Sequence, residues 1–388
     1  MNRSILFIIS FLAIFAESLL APYYPMYFKQ VFDIQDSNTV GWYIAACRIV
    51  FMGAYPIWAI VSKRYSLRNI LVCTQGMAGI ICIASAYCNS YTLFLVLSLL
   101  MVFFKASYLL IYPHLIQHSC SRYKEISILG IILNVGMICS ALISSLWIQQ
   151  FNIQHIFFII AAFDFLQMVI SYYFLVPNTV LATTENIDRK EYSISAYTFI
   201  RIAILTFFIY FVSTTLRPFY TDFILNQINY RYTILEAGCL FILPSFSVIL
   251  FYFIFKKESR LPSNATMMII AFCFAASVYA QQFEMLFILT CLIRIVYGFL
   301  LFYLCVYLDL LFFESVSSGH VAVWYGLIHA IQNTAYLIAP LYTGSQIAVL
   351  GLAVQFDIAF LISLFFLSII IITSISFKRK HHRYESFR

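Results

Sequence analysis

The sequence predicts an all-α polytopic membrane protein in which twelve transmembrane helices form two six-helix pseudo-repeats. Of its 388 residues 63% are hydrophobic and 10% are charged, and the mean hydropathy is +0.91. Apolar runs of about 20 residues are typical of membrane-spanning helices, whereas the strands of a membrane barrel would alternate over about 10 residues. We count twelve such runs, at 4–28, 39–61, 69–88, 91–117, 126–150, 154–176, 198–223, 232–255, 265–282, 285–313, 320–345 and 351–377.

The basic residues predict the orientation of these spans. The first run is long enough to cross a bilayer, so we interpret it as span 1 rather than as a signal peptide. If the spans alternate, one side carries nearly all loop cations and the other only Lys29 and Arg231. The positive-inside rule then places both termini in the cytoplasm and the protein in the cytoplasmic (inner) membrane. The net charge of +7 belongs to these loops and indicates no nucleic-acid partner.

No enzyme, metal or cofactor signature stands out. The ten cysteines are scattered without a C-x-x-C pair and read as small buried residues, so neither a disulfide framework nor a zinc site is predicted. His114 and His118 have metal-ligand spacing, but we do not expect a metal there. A Walker loop, a G-x-S-x-G elbow and an H-E-x-x-H helix are all missing from the sequence.

Two motifs recur in the second half of the chain. Pro22 in "SLLAPYYPMYF" matches Pro218 in "TTLRPFYTDFI", and Lys105 in "FFKASYLLIY" matches Arg294 in "LIRIVYGFLL". Such duplication is typical of secondary transporters, which place their site between the repeats. We predict an N-terminal half at 1–176, a cytoplasmic linker at 177–197, a C-terminal half at 198–377 and a basic cytoplasmic tail at 378–388.

At this point the chain resembles the major facilitator superfamily, nearest its twelve-span drug:proton antiporter and siderophore transporter branches. The loop "AIVSKRYSLRN" resembles the family's G-x-L-x-D-R-x-G-R-R loop and keeps Arg64 and Arg68, although Lys63 replaces the Asp. "PYYPMY" resembles the antiporter P-x-x-P-x-Y. "GMICSALISS" resembles the G-x-x-x-G-P-x-x-G-G of span 5, with Ala141 in place of the Pro. The resemblance implies the major facilitator fold and a gating role for Arg64 and Arg68.

The resemblance also implies that spans 1, 2, 4, 5, 7, 8, 10 and 11 line a central cavity. A charge in mid-membrane costs about 2.5–3.5 kcal/mol on insertion scales, yet four cations fall within these spans. Polar residues also recur at three- and four-residue steps in spans 7 and 11, so each set lies on one helix face. A cavity with cations and phenol hydroxyls suits an anion with several oxygens. The predicted substrate-binding residues are Arg217, Arg294, Lys105, Arg48, Tyr108, Tyr220, Tyr297, Gln332 and Asn333.

The opposing interpretations remain open at this stage. Lys105 can instead hold the bundle together, and Arg217 can pair with Asp222. Glu17 and His329 are the predicted proton-coupling residues, although Glu17 can equally be an ion-pair partner and His329 a buried hydrogen bonder. Asp164 and Asp357 are interpreted as packing or interhelical pairs. Asp309, near a cytoplasmic end, receives no site role.

The sequence thus predicts proton-coupled secondary transport of a small organic anion, with a polycarboxylate siderophore or related metabolite as one candidate cargo. The first-span motif favours export. A proton-linked importer of amino acids or similar nutrients is the alternative within transport, and a non-transporting membrane sensor or scaffold is the alternative of another class. No cofactor is expected; the partners are the anionic substrate, protons and the lipid bilayer.

Overall fold

The computed structural model describes residues 3–111, 115, 122–176, 195–227, 230–254, 262–315 and 321–385. The predicted linker at 177–197, apart from its last three residues, and the histidines His114 and His118 lie outside these ranges. The described residues form twelve long helical segments, numbered helix 1 to helix 12: Arg3–Phe32, Ser37–Val61, Leu67–Ala86, Tyr91–Leu110, Arg122–Gln150, Ile153–Phe174, Ala196–Leu225, Ile234–Ile254, Asn264–Ala280, Phe287–Ser315, Val321–Leu350 and Val354–Glu385.

These segments follow the twelve predicted spans. Within the described residues, ten are long and apolar enough to cross a membrane. Helix 9 is a shorter apolar helix at Ala265–Ala280, and helix 11, which carries His329, Gln332 and Asn333 near its middle, is not among the ten. The predicted fold class, an all-helical polytopic membrane protein, is confirmed.

Side-chain caps start several helices where the chain turns back. The Asp36 carboxylate accepts from the backbone N–H groups of Asn38 at 3.0 Å and Thr39 at 3.2 Å at the start of helix 2. Thr233 and Glu236 form a reciprocal capping box before helix 8, with N···O distances of 2.8 and 3.2 Å. These bonds satisfy N–H groups that a helix leaves unpaired at its first turn.

Helices 1 and 7 both break at the matched prolines. Helix 1 passes through a short 3₁₀ turn at Ala21–Tyr23, which contains Pro22. Helix 7 stops at Leu216 and resumes at Tyr220, with Pro218 in the turn between. Proline lacks an N–H and its ring clashes with the preceding turn, so each break has a local cause. The second break leaves Arg217 at a helix end.

The two halves meet along two helix pairs, helix 2 with helix 11 and helix 5 with helix 8. The closest approaches lie on the side opposite the chain termini, here called the distal side. A Cβ atom on Gly344 would lie 2.6 Å from the Ser37 carbonyl oxygen, and one on Gly41 would overlap the Pro340 carbonyl. In the other pair, a Cβ on Gly238 would overlap Ser145. The backbones of helices 2 and 11 therefore touch on this side, and in the other pair a side chain of helix 5 packs against the backbone of helix 8.

The opposite ends of the same helices are not in such contact. Gly53 in helix 2, Gly130 in helix 5 and Gly326 in helix 11 have open space where a Cβ would be, with nothing within 4 Å. On the terminal side, the buried apolar clusters stay within one half: one includes Leu6, Leu71 and Leu129, and the other includes Ile202 and Phe312. In the described part of the chain, the halves thus close on the distal side and separate towards the chain termini.

Candidate functional site

Arg217 lies where the two halves face each other. Its side chain is exposed in the space between them, and its guanidinium donates to the Met137 sulfur of helix 5. On the other side it lies 5.8 Å from the centre of the Phe241 ring of helix 8. Its charge also interacts electrostatically with Arg48, Glu17, Tyr297 and Tyr336.

Arg48 approaches the same region from helix 2. Its guanidinium lies 5.4 Å from the centre of the Tyr336 ring of helix 11 and 5.8 Å from that of Phe51. Both distances fall within the range of cation–π attraction. Arg48 and Arg217 therefore bring one cation from each half into the same polar region. An anion could contact both there, although their binding of substrate stays a prediction.

Glu17 is the carboxylate of this central cluster. Its Oε2 accepts a hydrogen bond from the Tyr108 hydroxyl at 3.2 Å. Its charge also interacts with Lys105 and Arg217. The structure thus brings together four of the predicted residues, Arg48, Arg217, Glu17 and Tyr108. Tyr24 lies beside them and interacts electrostatically with both Glu17 and Arg48.

Lys105 is positioned differently from Arg48 and Arg217. Its ammonium lies 2.9 Å from the Asp164 carboxylate of helix 6, and the two side chains are 7% and 1% exposed. The Cys82 thiol of helix 3 approaches the other Asp164 oxygen at 3.4 Å. This geometry supports the structural interpretation of Lys105 and the interhelical interpretation of Asp164. Substrate contact by Lys105 remains a prediction.

Arg294, the counterpart of Lys105, is likewise enclosed by its own half. The guanidinium donates to the Gln281 side chain at 2.8 Å and to the Leu240 carbonyl at 3.1 Å, and it lies 3.7 Å from the centre of the Tyr220 ring. The Tyr297 ring lies 5.5 Å away. Three predicted substrate residues, Arg294, Tyr220 and Tyr297, thus form one buried assembly in the C-terminal half, and their substrate contact stays untested.

The polar stripe of helix 11 forms a chain of hydrogen bonds. His329 Nδ1 and the Gln332 side-chain oxygen are 2.9 Å apart, and the Gln332 amide donates to the Tyr336 hydroxyl at 3.0 Å. The Asn333 amide donates back to the His329 carbonyl at 2.9 Å. Since Tyr336 contacts Arg48, this chain leads from the central cations towards the terminal side.

A cavity of about 40 Å³ lies at the end of this chain, within the C-terminal half. Helices 7, 10 and 11 line it with Ile202, Thr206, Tyr210, Cys305, Leu308, Asp309, Phe312, Ile328, His329 and Gln332. Sequence reasoning missed Asp309 because of its position near a span end. The spacing of Cys305, Asp309 and Phe312, at steps of four and three residues, does indicate that the three side chains share one face of helix 10.

The predicted gating arginines lie on the terminal side. Arg64 is exposed in the turn after helix 2, whereas the Arg68 guanidinium stacks 4.6 Å from the Tyr172 ring centre in helix 6. Arg68 therefore contacts its own half in this structure. Among the described residues there is no group of three or more His, Cys, Asp or Glu side chains that could hold a metal ion.

The fold and this central cluster define a multi-pass membrane protein whose two helical halves meet around a group of polar side chains. The sequence matches the Major Facilitator Superfamily over residues 6–340, and the chain belongs to that family. It is therefore a membrane transporter and not an enzyme. No curated protein sequence is significantly similar to this chain.

Solved structures share the fold at low sequence identity. The nucleoside transporter NupG superposes with a TM-score of 0.74 at 15% identity, and the aligned region covers 96% of this chain and 98% of the NupG chain. A bacterial homologue of the human lysosomal transporter Spinster, in an inward-facing and occupied conformation, gives 0.76 at 13% identity, with 97% of each chain covered. The human organic anion transporter MFSD10 (TETRAN) gives 0.67 at 13% identity, covering 95% and 98%.

Proposed function

We propose that this transporter moves a small organic anion across the cytoplasmic membrane in exchange for, or together with, protons. The proposal depends on the positions of Arg48 and Arg217. These two cations come from opposite halves, and each contacts a residue of the other half in the central cluster. An anion bound between them would attract both halves at once. Its binding would therefore be linked to their relative movement, as alternating access requires.

The proposal includes an orientation. With both termini in the cytoplasm, the distal side is the outer face, and the structure is closed outside and open inside. The small residues Gly41, Gly344 and Gly238 then form the closed outer contact. Glu17 and His329 are the proposed proton-coupling residues, because both lie on the polar path through the cavity.

The fold relatives do not select the cargo. One is described as an organic anion transporter and another as a nucleoside transporter, and the likeness to both is at fold level only. The anion proposal rests instead on the two cations. A polycarboxylate siderophore or related metabolite remains a candidate cargo, and the resemblance of "PYYPMY" to the antiporter motif favours export.

Amino-acid import is the second candidate. The cluster that holds Arg48 and Arg217 also holds the Glu17 carboxylate, and Asp309 lines a separate cavity within the C-terminal half. A zwitterion could place its carboxylate on the arginines and its ammonium near one of these acids. Purified protein should then be protected against heat by amino acids and not by tricarboxylates.

The test combines ligand binding with cellular transport. Heat unfolding of the purified protein would be measured with citrate, an amino-acid mixture and a nucleoside. Citrate should raise the unfolding temperature of the wild type and of Arg231→Gln, a control at an exposed loop cation, but not of Arg48→Gln or Arg217→Gln. A citrate effect that survives both cavity substitutions would reject the proposed anion site.

A comparison of anion levels would identify the cargo and the direction of its transport. The levels would be measured in cells and in spent medium, with and without the gene, at high and at low iron. A compound trapped inside deletion cells and missing from their medium indicates export. A compound left unused in the medium indicates import.

A further inference from the structure

The cavity between helices 7, 10 and 11 has no role in the anion site described above. Its volume of about 40 Å³ has room for roughly one water molecule. Polar groups reach it from all three helices: Thr206 and Tyr210 from helix 7, Cys305 and Asp309 from helix 10, and His329 and Gln332 from helix 11. Asp309 is the carboxylate in this lining.

Asp309 has a different charge environment from Glu17. Lys105 and Arg217 interact electrostatically with Glu17, and Arg48 interacts with the same two tyrosines as Glu17, Tyr24 and Tyr108. In the described part of the chain, no Lys or Arg forms an ion pair with Asp309. Tyr210 and Cys305 lie close enough to interact with it electrostatically.

The neighbouring ionisable groups do not supply a fixed counter-charge. Arg201, the basic residue of helix 7 nearest in sequence to this cavity, hydrogen-bonds Tyr307. His329 faces the cavity and shares a hydrogen bond with Gln332 through Nδ1. Among the described residues no cation is fixed on Asp309, and a carboxylate within a spanning helix that is accessible from one side can take up a proton or a small cation.

Access to Asp309 fits such a role. The side chain is exposed in this structure, and it lies six residues before the end of helix 10, on the terminal side where the two halves separate. Hydrogen bonds link His329, in the cavity wall, to Gln332 and Gln332 to Tyr336. The Tyr336 ring in turn contacts the Arg48 guanidinium. A change of charge at the cavity can therefore reach the central cations through contiguous contacts.

We propose that the Asp309 cavity, with His329 in its wall, is a further site that binds a coupling proton, in addition to Glu17. The step adds one proton to an Asp309 carboxylate oxygen and breaks no other bond. The inference rests on the proposed proton-coupled transport, and it adds a proton site in the C-terminal half, apart from the anion-binding arginines.

Infrared difference spectroscopy of the purified protein in lipid tests this site without any cargo. Spectra would be recorded between acidic and alkaline pH for the wild type, for Asp309→Asn, and for Glu314→Gln as a control at an exposed carboxylate of the same helix. The wild type and the control should share a protonated-carboxyl band that Asp309→Asn loses. Asp309→Glu, which keeps the carboxyl group, should retain a band at a shifted position.

Two outcomes would overturn the proposal. The first is an unchanged carboxyl band in Asp309→Asn; if that variant fails to fold, the absence of a shifted band in Asp309→Glu rejects the site equally. The second is binding of sodium in place of a proton. At alkaline pH, sodium chloride would then shift the carboxylate band and raise the unfolding temperature of the wild type but not of Asp309→Asn, and choline chloride would have neither effect. The citrate experiment fails or succeeds independently of these spectra, so the two proposals can be separated.

Discussion

The Lys105 ammonium and the Asp164 carboxylate form a buried ion pair, 2.9 Å apart, between helices 4 and 6. Both residues belong to the N-terminal half, and the Cys82 thiol completes the contact from helix 3. The pair thus joins three helices of one half. Its counterpart in the other half is Arg294, which uses a glutamine, a backbone carbonyl and a tyrosine ring in place of a carboxylate.

Removing only one member of the Lys105–Asp164 pair should destabilise the protein. Loss of one partner leaves an uncompensated buried charge, and such changes cost about 3–5 kcal/mol. We expect Lys105→Met and Asp164→Leu each to lower the unfolding temperature strongly, and the double variant to recover most of it. A Lys105→Met protein of normal stability that has lost only ligand binding would show that Lys105 contacts the cargo.

The equivalent substitutions Arg217→Gln and Arg294→Gln should have different effects. Arg217 is exposed between the halves, so its loss should abolish anion binding and transport while membrane abundance stays near normal. Arg294 is 4% exposed and holds Gln281 and Leu240, so its loss should reduce the amount of folded protein. Quantitative immunoblots of membranes together with transport assays measure both. Equal abundance of the two variants, both inactive, would instead place Arg294 in the binding site.

Gly41→Leu should prevent closure of the distal side. Its side chain would meet the backbone carbonyl of Pro340, which cannot move aside like a flexible side chain. Spin labels at Gln30 and Arg231, after replacement of the ten native cysteines, would measure the distance between the two halves. We expect a longer mean distance in Gly41→Leu. The control is Gly53→Leu, twelve residues along the same helix, where a Cβ atom would have nothing within 4 Å. This variant should leave the distance unchanged. A longer distance in both variants would disprove a specific role of the Gly41 contact.

Glu17→Gln should alter the dependence of transport on the pH gradient. The substitution keeps a group that can accept from Tyr108 but removes the negative charge among Arg48, Arg217 and Lys105. Uptake into proteoliposomes would be compared with and without an imposed gradient, with exchange of labelled anion as a second measurement. We expect exchange to persist while stimulation by the gradient is lost. Unaltered stimulation would exclude Glu17 from proton coupling.

Several features of the site could be read from the sequence because they depend on local spacing. Helix 7 breaks beside Arg217, and the cause, Pro218, is visible in the sequence because proline cannot continue the hydrogen-bond pattern of a helix. The polar stripe of helix 11 follows from three- and four-residue steps, which always place side chains on one helix face. Its hydrogen bonds between His329, Gln332 and Tyr336 are the result.

Other features depend on which helices become neighbours. Lys105 and Arg217 look alike in sequence, as cations within apolar spans, but one meets Asp164 and the other faces open space. The cavity at Asp309 could not be predicted for the same reason, since it is formed by helices 7 and 11 as well as by helix 10.

The sequence by itself determined the number and course of the helices and the all-helical membrane fold. Apolar runs of membrane length must form helices, because a lipid-exposed backbone has to satisfy its hydrogen bonds within the segment. Only the tertiary structure decided which of the described cations are paired, where the two halves make their closest contact and which helices enclose Asp309. Those properties depend on distances between residues far apart in the chain, and helical periodicity contains no information about them.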